Sequence, residues 1–447
     1  MAELEALVRD LLDRLNQNAS NSSVPPSANP PQAAKPVVKR PTGRRPGGQP
    51  GHPPHLKQLL PPERVTTTTD YVPGCCEQCR APLPQGRGPA DPPPSRFQVI
   101  DLPEVSAVVH EHRGHARTCP GCGHITRAAI PAAVRAHSVG PGLTATLAYL
   151  TGCHGLSKRA AEEVSAAVFA APVSLGTISR LEAEVSAALE PAHREALAAV
   201  RQAPVKHADE TGWKLAGKLR WLWAAATQTV AVFLVHAGRG TAALTALLGA
   251  DIQGLLHSDR WHAYNLLPER RRQLCWAHLK RDFQKWRERT GAGAAMGREG
   301  LRAVKQVFRA WHLFRGGGCT REQLQQRLAP VRRRLTGVLV AGHLGPDARV
   351  ARFCANLIAW EESLWRFAAV QGVEPTNNHM ERLLRRAVLW RRRSFGCSSA
   401  AGCRYVERIL TTVQTLRLQE RRVLEFLRQT LTDHRHGLPT PQLLPNG

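Results

Sequence analysis

The chain has 447 residues, and 61 Lys or Arg against 35 Asp or Glu give it a formal net charge of +26. This length predicts roughly two to four folded units, and the positive charge favours a polyanionic partner, with a merely soluble basic protein as the alternative. No apolar run approaches the roughly 20 residues needed to cross a bilayer, and the acidic start lacks the basic and apolar blocks of a signal peptide. We therefore exclude membrane and secreted proteins and expect a cytoplasmic one, whose cysteines are reduced or metal-bound.

The first predicted element is an amphipathic helix over residues 1–17 with leucines at helical spacing. A lone helix of this length is marginal in water, so we expect it to pair with a second copy, as in a coiled coil, or to pack back on the chain. Residues 18–70 are rich in Pro, Ser, Gly and basic side chains, which is typical of a linker. Arg44 and Arg45 within it are candidate DNA minor-groove contacts, with a solvated linker as the alternative.

Residues 71–130 contain two cysteine pairs with C-x2-C spacing. The pairs are Cys76 with Cys79 and Cys119 with Cys122. Four thiolates around one tetrahedral ion predict a single structural Zn²⁺ in a small ribbon, whose strands would come from the stretch "RFQVIDLPEVSAVVHEHRGHAR". Cys75 is a competing ligand, and unpaired reduced cysteines are the alternative.

Residues 139–200 have a helical pattern that breaks at residues 171–173, with a second helix opening at Ser174. Two helices joined by a short turn fit a helix-turn-helix, although an ordinary helical hairpin has the same pattern. The candidate DNA contacts of this region are Lys158, Arg159, Thr177 and Arg180.

From residue 201 to 290 the pattern is β-β-β-α-β-(α)-β-α, which predicts a mixed sheet with helices on its faces. Asp209 is predicted to end the first strand, "PVKHAD", and Asp259 the fourth, in "GLLHSDRW". If these strands are parallel neighbours, both carboxylates lie at the edge of the sheet where α/β proteins bind ligands. Three further regions complete the chain: a helical insertion at 291–370, the end of the core with a last helix pair at 371–430, and a tail at 431–447.

Residues 374–396, "EPTNNHMERLLRRAVLWRRRSFG", predict a helix that begins near Pro375 and Thr376 and carries one acid, Glu381. With Asp209 and Asp259 this acid would complete a set of hard oxygen ligands for Mg²⁺ or Mn²⁺. A surface ion pair with Arg385 is the alternative. The arginines of this helix that are candidate DNA contacts are Arg382, Arg385, Arg386, Arg391, Arg392 and Arg393.

The motifs "HADETGW", "LLHSDRWHAYN", "QLCWAHLKRDF" and "EPTNNHMERLLRRAVLWRRRSFG" together resemble the catalytic core of the IS66 family of bacterial insertion-sequence transposases. The linker, the segment "RRPGGQPGH" and the cysteine pairs resemble modules upstream of that core. The resemblance implies a multidomain α+β chain, with an RNase H-like α/β core and helical insertion after the zinc-ribbon and helix-turn-helix modules. It also implies a DDE triad of Asp209, Asp259 and Glu381 holding two Mg²⁺ (or Mn²⁺) ions, and DNA- or metal-facing roles for His278 and Arg281.

The function implied is DNA transposition by a nucleoid-associated bacterial enzyme, which cleaves phosphodiesters at the element ends and joins the 3′-OH to target DNA. The expected partners are the terminal inverted repeats, target DNA, a second copy of the chain or more, and accessory proteins of the same element. Two alternatives remain. His379, Arg382 and Tyr405 together could belong to a tyrosine recombinase. A zinc-containing DNA-binding protein, as a regulator or a decayed transposase, shares every feature except the three acids.

Overall fold

The computed structural model describes residues 58–445 and eight residues near the N-terminus: Leu4, Val8, Leu11, Leu12, Leu15, Gln17, Asn18 and Asn21. Most of the predicted first helix, and Arg44 and Arg45, lie outside the described residues. The chain divides into two units, one formed by Ala34–Ser106 and the other by Met1–Ala33 with Ala107–Gly447. Within the described part of the chain, every helix is too short or too polar to span a membrane.

The described part of the smaller unit is mostly irregular, with a short 3-10 turn at Pro62–Arg64. The strands expected between the two cysteine pairs are largely missing. The strands found in this region are Ala116–Thr118 (β1) and Ile125–Arg127 (β2), which pair antiparallel in the larger unit. The reason is a lack of cover for the apolar side chains upstream of β1. Phe97 is 91% exposed and Val108 is 82% exposed, and strands without a buried face are marginal in water.

In the described residues between β2 and the main sheet there are five α-helices and a π-helical turn at Tyr149–Cys153. The α-helices are Ala132–Arg135 (α1), Pro141–Ala148 (α2), Lys158–Phe169 (α3), Leu175–Ala188 (α4) and Glu190–Gln202 (α5). The break between α3 and α4 occurs where the sequence predicts it, and Ser174 caps α4 by accepting a hydrogen bond from the backbone N–H of Thr177. The helix α3 ends at Ala170 in the left-handed conformation, which turns the chain sharply.

The main sheet has five strands in the order β5-β4-β3-β6-β7. They are Val205–Leu215 (β3), Lys218–Ala226 (β4), Ala231–His236 (β5), Leu255–Ser258 (β6) and Arg272–Leu274 (β7). The first three pair antiparallel, whereas β6 pairs parallel with both β3 and β7. Thr241–Leu248 (α6) connects β5 to β6, and two 3-10 turns connect β6 to β7. This mixed sheet is the one predicted, and it is consistent with an RNase H-like core.

One strand boundary was predicted wrongly. The strand β3 does not end at Asp209 but continues to Leu215, because the turn at Ala216 and Gly217 folds it back onto β4 over its whole length. Both turn residues have positive φ, as two-residue hairpin loops require. Asp209 is instead where the parallel partner β6 stops, since the last pair of that ladder is His207 with His257.

Helices cover both faces of the sheet. The helices that follow β7 are Trp276–Arg287 (α7), Gly291–Arg315 (α8), Arg321–Leu344 (α9), Ala348–Ala359 (α10), Arg366–Ala369 (α11), Asn378–Ser394 (α12), Ala400–Leu418 (α13) and Val423–Arg435 (α14). The helices α8 to α11 lie within residues 291–370 and share with α7 a hydrophobic cluster that also includes Leu255 of β6 and Leu274 of β7. On one face of the sheet Trp223 packs with α5 and α6, and on the other Ala224 packs with Met380 and Leu384 of α12.

Candidate active site

The sheet register sets Asp209 and Asp259 level with each other. His207 and His257 are paired in the parallel ladder of β3 and β6, and each lies two residues before its aspartate. Asp209 is paired with Ala224 across β3 and β4, so its side chain lies on the sheet face that α12 covers. Both acids therefore lie just beyond the last pair of the parallel ladder, although Asp209 is still within strand β3.

Asp209 carries the strongest sign of crowded negative charge. Burial raises the pKa of its carboxyl group well above the ordinary value, and the neighbouring charges of Glu210, Asp259 and Glu381 raise it further. A hydrogen bond from the backbone N–H of Glu210, at 2.8 Å to Oδ1, opposes this rise. The other two predicted catalytic acids are therefore close enough to Asp209 to disfavour its ionised form.

Asp259 lies in a more compensated position. Burial raises its pKa, while the backbone N–H of Trp261 donates to its Oδ1 at 2.8 Å and the charges of Arg239 and Arg272 lower the pKa. The Arg272 side chain is buried and donates to the backbone oxygen of Asp259 at 3.0 Å. The segment after β6 is thus held by a buried guanidinium beneath the carboxylate.

Glu381 lies in the first turn of α12, half-buried, and its Oε1 is 3.7 Å from Nδ1 of His278. That distance is too long for a hydrogen bond, and both atoms are buried with no hydrogen-bond partner. Burial and the charges of Arg281 and Arg260 lower the pKa of His278 to about 3, so its imidazole is neutral at pH 7.

Asn377 fixes the start of this helix. It is the N-cap residue in place of the predicted Pro375 and Thr376, and its side chain makes no cap hydrogen bond. Instead Nδ2 donates to the backbone oxygen of Ala208 at 2.9 Å and Oδ1 lies 2.9 Å from Nδ1 of His207. The side chain therefore ties the Glu381 helix to the strand that carries Asp209.

A second set of ligands was missed by the sequence reasoning. Cys275, His278 and Glu381 each offer an atom within 4.8 Å of the other two, and among the described residues this is the one such group of three. The carboxylate oxygens of Asp209, Asp259 and Glu381 do not all lie within 4.8 Å of one another. The signal in the sequence was the C-x2-H spacing in "CWAH", which places Cys275 just before α7 and His278 in its first turn.

A buried network around Glu210 was also missed. Its carboxylate accepts hydrogen bonds from Nε of Arg239 at 2.8 Å and from the Tyr264 hydroxyl at 2.5 Å. The Arg239 guanidinium lies 3.9 Å from the ring centre of Trp261 and 4.6 Å from that of Trp221. Glu210 points to the sheet face opposite Asp209, so it fixes the loop after β6 and does not complete the triad.

The candidate DNA-contacting residues have different surroundings. Arg159, Arg180, Arg382, Arg385, Arg386, Arg392 and Arg393 are exposed, whereas Thr177, Arg281 and Arg391 are half-buried. Lys158 is paired with Glu182 at 2.9 Å and donates to Ser179 at 2.8 Å. Arg391 donates to the Thr211 hydroxyl at 3.0 Å and to the backbone oxygen of Gly212. Both side chains therefore have partners inside the protein.

Tyr405 lies in the core and not at a surface. It is 3% exposed, its hydroxyl lies 3.1 Å from the Thr151 hydroxyl, and burial raises its pKa well above the ordinary value. His379 is buried too and contacts the backbone oxygen of Thr227 at 2.7 Å. A phosphotyrosine mechanism needs an accessible, ionisable hydroxyl, so the tyrosine-recombinase alternative is wrong for this fold.

The two cysteine pairs have the same local backbone. In one unit the backbone N–H of Cys76 donates to the oxygen of Ala81, and that of Arg80 donates to the oxygen of Cys76. In the other unit Cys119 is bonded in the same way to His124 and Gly123. Arg80 and Gly123, each four residues after the first cysteine, both have positive φ. Backbone N–H groups in each turn lower the pKa of Cys76 and Cys119, as a thiolate ligand requires.

Comparison with known proteins gives two matches to family models. Residues 137–405, more than half of the chain, match the model described as the transposase IS66 family. Residues 1–58 match a family of unknown function, DUF6444. A curated relative, the uncharacterised protein y4qI of Sinorhizobium fredii (strain NBRC 101917 / NGR234), is 24% identical over 253 residues. The match covers 50% of this chain and 45% of the relative, so the chain spans less than half the length of that protein. By the match to more than half of its length, the chain belongs to the IS66 family of transposases.

Proposed function

We propose that the chain is a DDE-type transposase, which cleaves phosphodiester bonds at the ends of its element and transfers the resulting 3′-OH to target DNA. The observation that carries this proposal is the register of β3 and β6, which sets Asp209 and Asp259 level at one sheet edge. Glu381, from a helix on the same face, is close enough to raise the pKa of Asp209.

The donor atoms of the three acids suit a hard divalent cation. Asp209, Asp259 and Glu381 supply carboxylate oxygens, the ligands that Mg²⁺ and Mn²⁺ prefer. The pKa of Asp209 is raised partly by the other two acids, which is the repulsion that a bound cation relieves. Two such ions, when bound, supply Lewis acidity to the phosphate and lower the pKa of the attacking water.

The chain's own residues would orient the reactants. Asp209 lies within a strand and Asp259 directly follows one, so their backbones are held by the sheet, and Asn377 holds the helix of Glu381 to that sheet. In cleavage, a water oxygen bonds to phosphorus as the bond to the 3′ oxygen breaks. In strand transfer, the freed 3′-OH attacks a target phosphate in the same way. Because both are displacements at phosphorus, positioning and charge supply the catalysis, and no protein nucleophile is needed.

The arginines of α12 would hold DNA phosphates beside these acids. Exposed Arg382, Arg385 and Arg386 lie within two turns of Glu381, and charge contacts to phosphate give binding without sequence preference. Because the imidazole of His278 is neutral at pH 7, it has no charge to attract a phosphate, and we propose that it contacts Glu381 and not the DNA.

The upstream modules would find the element ends. We propose that α3 and α4 form a helix-turn-helix whose DNA contacts include Arg159 and Arg180, and that the two cysteine turns share one structural Zn²⁺. Pairing two terminal inverted repeats requires at least a dimer, which the leucine stripe of residues 1–17 would help to form. Accessory proteins of the same element are further proposed partners.

The test is strand cleavage by a Glu381→Gln variant. Labelled DNA from the element's own ends is incubated with Mg²⁺ or with EDTA and resolved on denaturing gels, while binding is measured separately by gel shift. We expect the wild type to give Mg²⁺-dependent nicks with free 3′-OH ends, and the variant to lose at least about 10²-fold in rate with binding unchanged.

Glu425→Gln is the matched control, because Glu425 is also a first-turn acid but belongs to the exposed start of α14. It should cleave at the wild-type rate. Cleavage retained by Glu381→Gln would refute the assignment, and joint loss of cleavage and binding would make Glu381 a structural residue. A wild-type chain that binds the ends but does not cut them would favour the DNA-binding regulator.

A further inference from the structure

We propose that Cys275, His278 and Glu381 form a second metal site, one that takes a thiophilic divalent ion of the Zn²⁺ class. It differs in ligand chemistry from the Mg²⁺ site of the proposed function but shares Glu381 with it. The Cys275 sulfur, a His278 ring nitrogen and a Glu381 carboxylate oxygen all lie within 4.8 Å of one another.

Two helix starts build this site. Cys275 is the N-cap of α7, and His278 is three residues later, so both lie on one side of the first turn. Glu381 comes from the first turn of α12, whose N-cap Asn377 donates its backbone N–H to the Cys275 sulfur at 3.1 Å. The positive ends of two helix dipoles therefore meet at a thiol and a carboxylate. Burial nevertheless raises the pKa of the Cys275 thiol to about 11, so a metal would bind the sulfur by displacing its proton.

The site contains buried polar atoms that have no hydrogen-bond partner. Nδ1 of His278 and Oε1 of Glu381 face each other at 3.7 Å, and neither has a hydrogen-bond partner. In a tetrahedral zinc site with ligand bonds of about 2.0–2.1 Å, two such ligand atoms are about 3.4 Å apart. The observed separation is thus close to that of two ligands sharing one ion, and too long for a direct hydrogen bond.

The ligand types select the ion. Thiolate and imidazole bind Zn²⁺ and Co²⁺ well but are poor ligands for Mg²⁺. Cys275 is buried, whereas the side chains of Glu381 and His278 are 36% and 19% exposed, so two of the three ligand residues reach solvent. Three protein ligands leave a fourth position open to water.

A consequence follows if the proposed function holds. An ion bound to Cys275 and His278 engages the carboxylate that Mg²⁺ also needs, so Zn²⁺ should inhibit Mg²⁺-dependent DNA cleavage. The metal site itself does not depend on that function, because binding can be measured without DNA.

The experiment uses Co²⁺ as the probe, since a cobalt–thiolate bond gives a charge-transfer absorption band. It uses the full-length chain with four serines in place of the cysteines of the two C-x2-C turns. The replaced residues are Cys76, Cys79, Cys119 and Cys122. We expect one Co²⁺ to bind with a thiolate band that disappears in Cys275→Ser. His278→Ala and Glu381→Gln should each weaken binding by at least about tenfold.

Cys397→Ser in the same background is the matched control, because Cys397 is a partly buried free cysteine away from this group, and it should keep the band. No band, or a band that survives Cys275→Ser, overturns the proposal. If the four-serine chain does not fold, the wild type and Cys275→Ser are compared by their bound Zn²⁺, and equal contents overturn the proposal.

Zn²⁺ inhibition of cleavage is measured in parallel for the wild type and Cys275→Ser. The proposal expects inhibition of the wild type and at least about tenfold weaker inhibition of the variant. A chain that binds Co²⁺ at Cys275 but never cleaves DNA would refute the proposed function and keep this site. A chain that cleaves DNA but shows no cobalt–thiolate band would refute this metal site and keep the proposed function.

Discussion

Replacing Asn377 with alanine should lower both the stability of the protein and its rate of DNA cleavage. Asn377 is 1% exposed, and its side chain makes two hydrogen bonds, to the backbone oxygen of Ala208 and to Nδ1 of His207. A buried polar group left without a partner costs about 1–3 kcal/mol, so losing both bonds should lower the free energy of unfolding by about 2–4 kcal/mol. The same bonds hold the helix of Glu381 to the strand of Asp209. A shift of about 1 Å between those carboxylates would slow cleavage about 10²-fold.

The assay is urea unfolding followed by tryptophan fluorescence, since Trp213, Trp223 and Trp276 are buried around the sheet. Asn356→Ala is the matched control, because Asn356 is exposed and accepts one hydrogen bond from Arg260. The control should change stability by no more than about 0.5 kcal/mol. A loss below about 1 kcal/mol in Asn377→Ala, or full cleavage activity in that variant, would refute the role given to this side chain.

Two further predictions concern metal content and pH. Cys76→Ser should release about one zinc per chain, as measured by atomic absorption. Cys75→Ser should keep its zinc, because the backbone N–H groups of the cysteine turn point to Cys76. Equal zinc contents in the two variants would contradict the shared site. Burial lowers the pKa of Lys206 from 10.5 to about 8, so the unfolded chain binds more protons between these values and stability rises with pH there. In Lys206→Met this rise in stability with pH should be absent. The free energy of unfolding at pH 7 should increase by up to about 3 kcal/mol, less the contribution of the lost hydrogen bond to the Arg201 oxygen. An unchanged pH profile in thermal unfolding would contradict this prediction.

The succession of strands and helices along the chain was predictable because the local patterns of strands differ from those of helices. The β4 and β5 strands are runs of apolar and aromatic residues around a short turn, and β6 is a buried run before an acid. The length of β3 was not predictable, since Glu210 and Thr211 resemble the end of a strand. Glu210 is tolerated in the interior only because Arg239 and Tyr264 bond it, and both are distant in sequence.

The site was predictable only where a local pattern carries it. Asp209 and Asp259 each follow a short stretch with a strand pattern, so the sequence predicts that they lie at one edge if the two strands are parallel neighbours, as they are. The place of Cys275 beside Glu381 depends on two helix starts separated by the whole insertion, which no local pattern reports. Asn377 was overlooked for the same reason, because its partners lie on β3.

The helix α12 combines one acid with six arginines because its two ends have different surroundings. Glu381 lies in the first turn, where the helix dipole is positive, and Arg391, Arg392 and Arg393 lie in the last turn, where it is negative. This order of charges stabilises the helix whether or not DNA binds, so an excess of arginine is by itself weak evidence of function. A surface acid would face solvent and pair with Arg385 one turn later, but Glu381 faces the buried Nδ1 of His278. Glu381 thus faces a buried group and not solvent, which favours the proposed site over an ordinary basic helix.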